Sequence, residues 1–170
     1  MIHIREIDHL VLRVVDLEAM VAFYSGVMGC PIERRRDDIG LVQLRAGSSL
    51  LDLVAVDGQL GRAGGAAPGA QGRNLDHFCF RVEPFDEAAL RSHFARAGVE
   101  VGETGSRFGA EGEGPSVYIQ DPERNTVELK GPPWPDGAPI GRRAATEGPD
   151  TVTIVDADHG GSLAASLKHA

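Results

Sequence analysis

Residues 8–14 read Asp-His-Leu-Val-Leu-Arg-Val, and residues 76–82 read Asp-His-Phe-Cys-Phe-Arg-Val. Four of the seven positions are identical, and the other three exchange one apolar residue for another. Polar and apolar residues alternate in both copies, which is typical of a β-strand with one buried face. The chain therefore builds the same kind of module twice, and His9 and His77 occupy equivalent positions in the two modules.

The segments that follow each copy support this repeat. Asp16 and Asp86 each precede an apolar pattern of helical spacing and are suitable N-cap residues. After each helix come three short strand patterns separated by glycine and polar residues. We therefore predict an α+β fold of two βαβββ modules that form a curved mixed sheet around a cleft. The predicted strands are 5–15, 31–36, 40–46, 49–56, 75–83, 99–103, 115–120 and 125–130, and the predicted helices are 17–29 and 87–97.

The domain organisation follows from the glycine-rich stretches. Residues 1–131 are predicted to form a single domain, with modules at about 5–56 and 75–131 joined by a Gly-rich linker at 57–73. Residues 132–170 are predicted to be a Pro/Gly-rich C-terminal extension. Three further predictions concern smaller segments: a mobile loop at 104–114, a strand at 151–155 and a short helix at 162–168, with His159 and His169 exposed.

Composition narrows the possible functions. The net charge of −8 argues against sequence-independent binding to nucleic acid or to anionic membranes, because both favour clustered cations. The N-terminus lacks a signal-peptide pattern and no segment is long and apolar enough to span a membrane, so we expect a cytoplasmic protein. Cys30 and Cys79 do not form a disulfide framework, and packing is the simpler role for both.

Strand alternation gathers the polar residues on one face of the sheet. His9 and Arg13 oppose the apolar residues that pack on the helix, and His77 and Arg81 do the same in the second module. Asp52 and Glu128 lie between apolar neighbours in the equivalent segments Leu51-Asp52-Leu53 and Val127-Glu128-Leu129. A lone strand histidine is usually structural, but two equivalent histidines with two equivalent acids indicate a metal site. Imidazole and carboxylate donors together suit a divalent ion such as Zn, Ni, Mn, Fe or Co.

These segments resemble the vicinal oxygen chelate superfamily, which includes glyoxalase I, extradiol dioxygenases and the bleomycin and fosfomycin resistance proteins. The resemblance covers about residues 5–131. It rests on the paired Asp-His segments, on Phe23-Tyr24 followed by Val27-Met28-Gly29, and on the segment 118–129, which reads Tyr-Ile-Gln-Asp-Pro-Glu-Arg-Asn-Thr-Val-Glu-Leu. It implies that His9, His77 and Glu128 are metal ligands. Asp52 matches a fourth, acidic ligand position, where the shorter side chain would bind the metal directly, hold a metal-bound water or act as a base behind the ligands.

The resemblance also implies a reaction class. In the glyoxalase-type reading, a lyase or isomerase stabilises an enediolate-like intermediate of a small oxygenated substrate, and Asp52 or Glu128 is the catalytic carboxylate. The predicted substrate-binding residues are Arg13, Arg81, Tyr118 and Arg107.

Two other readings stay open. An extradiol-type dioxygenase would use Fe(II) with the same three ligands and with Tyr118, although Glu111 lies near the place where that family has a histidine. Arg124 also stands where that family has a small turn residue. A resistance or binding protein of the bleomycin or fosfomycin type is the third reading. The expected partners are a small-molecule substrate and a second copy of the chain in a homodimer.

Overall fold

A computed structural model describes residues 2–69, 71 and 75–135. The predicted strand at 151–155, the predicted helix at 162–168, His159 and His169 lie outside the described residues. Among the described residues, no helix is long and apolar enough to cross a membrane.

The first module follows the predicted order. Asp16 caps the first helix, because its carboxylate accepts a hydrogen bond from the Ala19 N–H. The helix continues as a π-helical turn over Phe23–Val27 and ends before Gly29, whose positive φ lets the chain reverse. The elements are β1 (His9–Val14), α1 (Leu17–Ala22), β2 (Ile32–Arg36), β3 (Leu41–Ala46) and β4 (Ser49–Ala55).

The second module repeats this order with a longer helix. Asp86 caps it through the Ala89 N–H, as Asp16 does in the first module. The elements are β5 (His77–Arg81), α2 (Glu87–Arg96), β6 (Val101–Gly109), β7 (Gly112–Gln120) and β8 (Thr126–Lys130). The predicted α+β fold of two βαβββ modules is confirmed.

Each module forms its own four-stranded mixed sheet. The strand order is β1-β4-β3-β2 in the first sheet and β5-β8-β7-β6 in the second. β1 pairs in parallel with β4, and β5 pairs in parallel with β8, while the other pairs are antiparallel. The two strands that carry the repeated histidines, β1 and β5, are therefore both edge strands.

The two modules pack together through their helical sides. Tyr24 is fully buried and its hydroxyl donates a 2.7 Å hydrogen bond to the Asp121 carboxylate in the β7–β8 turn. Its ring also lies 6.4 Å from the ring of Phe78 on β5. Glu123, in the same turn, accepts hydrogen bonds from the backbone N–H groups of Val15 and Asp16. The concave, polar faces of the two sheets are left uncovered by these contacts.

The predicted mobile loop at 104–114 is wrong. These residues lie in the β6–β7 hairpin, whose strands pair from Val101 with Ile119 to Gly109 with Gly112. The hydrogen bonds between paired strands involve backbone groups only, so a glycine-rich segment can form a strand. It does so where side chains of neighbouring strands occupy the space that its own side chains would fill. Gly109 makes this room for Lys130, because a Cβ there would lie 2.6 Å from the Lys130 Cε.

Candidate metal centre

The two sheets present matching rows of side chains on their polar faces. In the second sheet, Tyr118 is paired with Glu128, and Glu128 is paired with Cys79. In the first sheet, Gln43 is paired with Asp52, and Asp52 with Val11. Residues paired directly across strands share a face, so each acid lies in the middle of a row.

His77 and Glu128 form a preassembled pair, which we call the second half-site. The Nε2 of His77 lies 3.3 Å from the Oε2 of Glu128. Its Nδ1 lies 2.7 Å from the carboxylate of Asp76, which orients the ring and leaves Nε2 directed at Glu128. The other Glu128 oxygen accepts a hydrogen bond from the buried Ser116 hydroxyl. Glu128 is only 6% exposed. Both of its oxygens therefore have a partner in the protein at a position that is largely shielded from water.

His9 and Asp52 form the first half-site, which is looser. The His9 Nδ1 lies 2.8 Å from the carboxylate of Asp8, matching the Asp76–His77 contact. This hydrogen bond, together with the nearby charge of Asp52, raises the pKa of His9. Gln43 donates a 2.9 Å hydrogen bond to the Oδ2 of Asp52. The Oδ1 of Asp52 is buried and has no hydrogen-bond partner among the described residues.

The donors of each half-site are chemically suited to a divalent ion. A buried carboxylate oxygen without a partner is costly unless a proton or a cation reaches it, which makes the Asp52 Oδ1 a natural ligand atom. In the second half-site, the 3.3 Å separation of nitrogen and oxygen matches the distance of about 3.3 Å expected between two ligands of a tetrahedral ion with bonds of about 2.0–2.1 Å. Both histidines keep Nε2 available because a carboxylate engages Nδ1.

The two half-sites do not combine within one chain. Among the described residues, no group of three or more His, Cys, Asp or Glu side chains is arranged to hold a metal ion. His9, His77, Glu128 and Asp52 therefore appear as two pairs of potential ligands, and their assignment as one ligand set stays a prediction. The separation arises because the helical sides of the modules pack together, while the donors lie on the opposite faces.

The two repeated arginines are engaged in protein contacts. Arg13 donates four hydrogen bonds of 2.8–3.1 Å to backbone carbonyls of the linker, at Gly61, Gly64, Gly65 and Ala66. These bonds fix a 3₁₀ turn over Gly61–Gly64. Arg81 pairs with Glu111 at 2.7 Å. Both arginines hold neighbouring segments in place, and the predicted binding of substrate by either of them stays a prediction.

Tyr118 and Arg107 lie beside the second half-site. The Tyr118 ring meets the His77 ring edge-on, with 5.7 Å between the ring centres. The Cζ of Arg107 lies 5.9 Å from the centre of the Tyr118 ring on a cation–π contact. Together with Gln120 and Thr126, Tyr118 also lines a groove of about 700 Å³. Tyr118 is thus next to the candidate donor His77, and Arg107 is next to Tyr118.

Cys79 lies in the same row as Glu128. Burial of the sulfur, followed by the charge and hydrogen bonding of Glu128, raises the pKa of Cys79 to about 12. Cys79 is nevertheless exposed in the single chain, so it does not fill the packing role that the sequence indicates. Cys79 and His77 also line a second groove, of about 900 Å³, that lies between β5 and the first module, where Leu10 and Arg45 line it too.

Sequence reasoning missed four residues that support the donors. Asp8 and Asp76 belong to the repeated segment itself, so their equivalence was a usable signal. The repeat does not reveal Gln43 and Ser116, because the two residues do not occupy equivalent positions in the two modules. Gln43 is paired with Asp52, whereas Ser116 is paired with Lys130 and reaches Glu128 along the strand.

Comparison with known proteins agrees with the fold. A family model described as the Glyoxalase/Bleomycin resistance protein/Dioxygenase superfamily matches residues 6–129. Among solved structures, a virulence protein from Salmonella typhimurium is 27% identical, with a TM-score of 0.61, and the match covers 78% of this chain and 99% of that one.

Two further solved structures share the fold at lower identity. A lactoylglutathione lyase from Agrobacterium tumefaciens is 24% identical, with a TM-score of 0.54 and coverage of 74% of this chain and 92% of that one. An antibiotic-binding protein from Streptomyces is 20% identical, with a TM-score of 0.55 and coverage of 78% and 99%. The same fold thus occurs in an enzyme and in a binding protein.

Proposed function

Because the chain belongs to the Glyoxalase/Bleomycin resistance protein/Dioxygenase superfamily, we propose that it is a metal-dependent vicinal oxygen chelate enzyme of the glyoxalase type. It would act as a lyase or isomerase on a small oxygenated substrate. The observation that carries the proposal is the pair of matching half-sites, each with an oriented imidazole and a buried carboxylate.

His9, His77 and Glu128 would hold the ion, and Asp52 would supply the fourth donor through its unpartnered Oδ1. A divalent ion in this position supplies Lewis-acid polarisation of two neighbouring substrate oxygens. Glu128 is oriented by His77 and Ser116. Its Oε2, when not bound to the ion, would move a proton between adjacent substrate carbons while Oε1 stays hydrogen bonded to Ser116. Asp52, held by Gln43, is the equivalent carboxylate on the other side.

We propose further that the complete site forms between two copies of the chain. One chain brings together only pairs of donors among its described residues. Both histidines begin an edge strand, β1 or β5, with unpaired backbone groups along its open side. A second copy can therefore place its β5 edge beside the β1 edge of the first, and a two-fold axis would generate two identical sites.

Mixed dimers test the shared site directly. His9→Ala and His77→Ala chains carrying different affinity tags are co-expressed, and the mixed dimer is isolated through both tags. If the site is shared, one of its two sites has both histidines intact and the other has neither. We expect about one Zn²⁺ per mixed dimer, against about two for the wild type and almost none for either variant alone. A mixed dimer without bound metal, or no recoverable dimer, would contradict the proposal.

The reaction class is tested first with a panel of hemithioacetals. The zinc-, nickel- or manganese-loaded protein is incubated with hemithioacetals formed from methylglyoxal and simple thiols, and thioester formation is followed by ultraviolet absorbance. We expect product in the wild type and none in Glu128→Gln. Thioester formation at the rate of the protein-free solution would contradict the glyoxalase-type reading.

An extradiol-type dioxygenase is the second candidate, favoured by the contact between Tyr118 and His77. Two histidines and one carboxylate suit Fe(II) and oxygen chemistry. Glu111, which lies near the place of that family's additional histidine, is paired with Arg81 instead. Oxygen uptake by the Fe(II)-loaded protein with a panel of catechols, exceeding thioester formation in the first assay, would reverse the order of the two candidates.

A further inference from the structure

The β6–β7 hairpin carries an arginine that points along the polar face of the second sheet. Arg107 is paired with Gly114, two positions beyond the pair of Gly105 and Ser116, so it shares the face of Ser116. Its guanidinium lies 5.9 Å from the Tyr118 ring, and that ring lies 5.7 Å from the His77 ring. The guanidinium is therefore no farther from the His77 ring than these two distances combined.

Gly105 provides the space in which this guanidinium lies. A Cβ added at Gly105 would lie 2.5 Å from the Nη1 of Arg107 and 3.3 Å from its Cζ. Gly105 does not have a positive φ, so its backbone conformation does not require glycine. Glycine at position 105 instead leaves the space that the Arg107 guanidinium occupies.

The backbone around Arg107 is held on both sides. Lys130, which is only 6% exposed, donates hydrogen bonds from its ammonium to the carbonyls of Arg107 and Gly114. The indole N–H of Trp134 donates a 2.9 Å hydrogen bond to the Ser106 hydroxyl. The guanidinium is thus presented from a fixed strand, with the positive charge of Lys130 close behind it.

Arg107 also keeps most of its hydrogen-bonding capacity. Its guanidinium donates to the carbonyl of Ser106, and no carboxylate among the described residues pairs with it. The two arginines of the repeat differ in this respect, because Arg13 donates to four carbonyls and Arg81 pairs with Glu111. In a chain of net charge −8, a fixed and unpaired guanidinium beside a candidate site creates a local attraction for anions.

We propose that Arg107 binds a carboxylate of the substrate, and that Gly105 and Tyr118 hold its guanidinium in place for this purpose. The substrate class would be small α-oxygenated compounds that carry a carboxylate several bonds away from the two chelated oxygens. A planar guanidinium can bind a carboxylate through two parallel N–H groups. This inference rests on the proposed metal-dependent function of the same site.

The test uses two probes that differ only in the charged group. Hydroxamates chelate a metal through two neighbouring oxygens, and succinic monohydroxamate carries a carboxylate where butyrohydroxamate carries a methyl group. Their affinities for the zinc-loaded, full-length protein are measured by isothermal titration calorimetry. We expect the carboxylated probe to bind about tenfold more tightly or better, and Arg107→Gln to bring the ratio close to one while the affinity of the neutral probe is unchanged.

Two variants separate the position of the guanidinium from its charge. Gly105→Ala keeps Arg107 but displaces its guanidinium, so we expect the ratio to fall at least severalfold without any change in net charge. Arg96→Gln on α2, on the helical side of the sheet, changes the net charge as Arg107→Gln does and should leave the ratio unaltered. Circular dichroism of each variant verifies that it is folded.

Three results would overturn the inference. Equal affinity of the wild type for the two probes, or a preference that persists in Arg107→Gln, would exclude Arg107 as the anion-binding group and leave the metal site intact. Failure of both probes to bind the zinc-loaded protein would remove the proposed function as well, and the inference with it.

Discussion

The two half-sites start from almost the same sequence and reach different degrees of order. His77 is in contact with Glu128, which is further held by Ser116. Among the described residues, His9 forms neither a hydrogen bond nor an ion pair with Asp52, which is held by Gln43 and keeps one oxygen without a partner. Aspartate is one methylene shorter than glutamate, so it cannot extend as far from the same strand position. The difference indicates that the donors of the second half-site are already in contact, whereas those of the first are not.

The largest expected effect is the loss of the preformed carboxylate. Glu128→Gln removes the charge but keeps the size and one hydrogen bond, and we expect zinc affinity to fall roughly 1000-fold. Asp52→Asn is the matched change in the other half-site and should reduce affinity by only about 10- to 100-fold. Competition with a chromogenic chelator measures both. An equal or larger effect of Asp52→Asn would show that the two half-sites contribute alike.

The second-largest effect on zinc affinity is expected from the carboxylates that contact the Nδ1 atoms of the two histidines. Asp76→Asn and Asp8→Asn each weaken the hydrogen bond that orients an imidazole and favours its metal-binding form. We expect each to reduce zinc affinity by about 10- to 100-fold, with similar values in the two half-sites. The same chelator competition provides the measurement. A change of less than twofold in either variant would indicate that the corresponding histidine is not a ligand.

The third change makes the two acids identical. Asp52→Glu lengthens the side chain by one methylene at a position paired with Gln43. If the first half-site is loose because its acid is short, a longer acid would reach the ion through a shorter bond, and zinc affinity should rise by up to about tenfold. Asp52→Gln is the control, because it adds the same length without the charge. Weaker binding by Asp52→Glu than by the wild type would mean that Asp52 acts through a water molecule.

The fourth prediction compares the turns that precede the two acid-bearing strands. The β3–β4 turn uses Gly47 at a φ of 62°, whereas the β7–β8 turn places Arg124 at a φ of 64°. A non-glycine residue in this region is strained, so Arg124→Gly should increase the free energy of unfolding by about 0.5–1 kcal/mol. Urea denaturation measures this, and Arg96→Gly on the exposed helix should instead destabilise. A loss of stability in Arg124→Gly would point to a side-chain contact at that turn.

The smallest effect is expected at the end of each row. Val11 and Cys79 occupy equivalent positions beside the two acids. Cys79→Val makes the rows alike, and because Cys79 is not among the proposed ligands we expect zinc affinity to change less than about twofold. A drop comparable to that of His77→Ala in the chelator assay would identify Cys79 as a ligand.

The repeat made much of the fold predictable. Two equivalent strands, two capped helices and the alternation around His9 and His77 were sufficient for the βαβββ order and for the faces on which the acids lie. The sequence predicted the strands at 99–103 and 115–120 but not the extension of the β6–β7 hairpin through 104–114. The glycines of that segment resemble those of a loop, whereas Gly105 and Gly109 leave room for the side chains of Arg107 and Lys130.

The assembly of the site was also beyond the sequence. Alternation assigns a residue to one side of its own strand, but it does not say how two sheets are placed relative to each other. That placement depends on contacts such as the one between Tyr24 and Asp121, which join residues almost 100 positions apart. The hydrogen bond from Gln43 to Asp52 depends in the same way on the register of β3 against β4. Approximate strand ends in a sequence do not determine that register.

The hydrogen bond between Tyr24 and Asp121 couples the first helix mechanically to the donors of the second module. Asp121 also accepts hydrogen bonds from the backbone of Glu123 and Asn125, so it is the anchor of the short turn that joins β7 to β8. One of these strands carries Tyr118 and the other carries Glu128. A tilt of the helix that moved Tyr24 would therefore pull on both strands at once, and residues packed around that buried phenol can tune the geometry of a distant carboxylate without touching it.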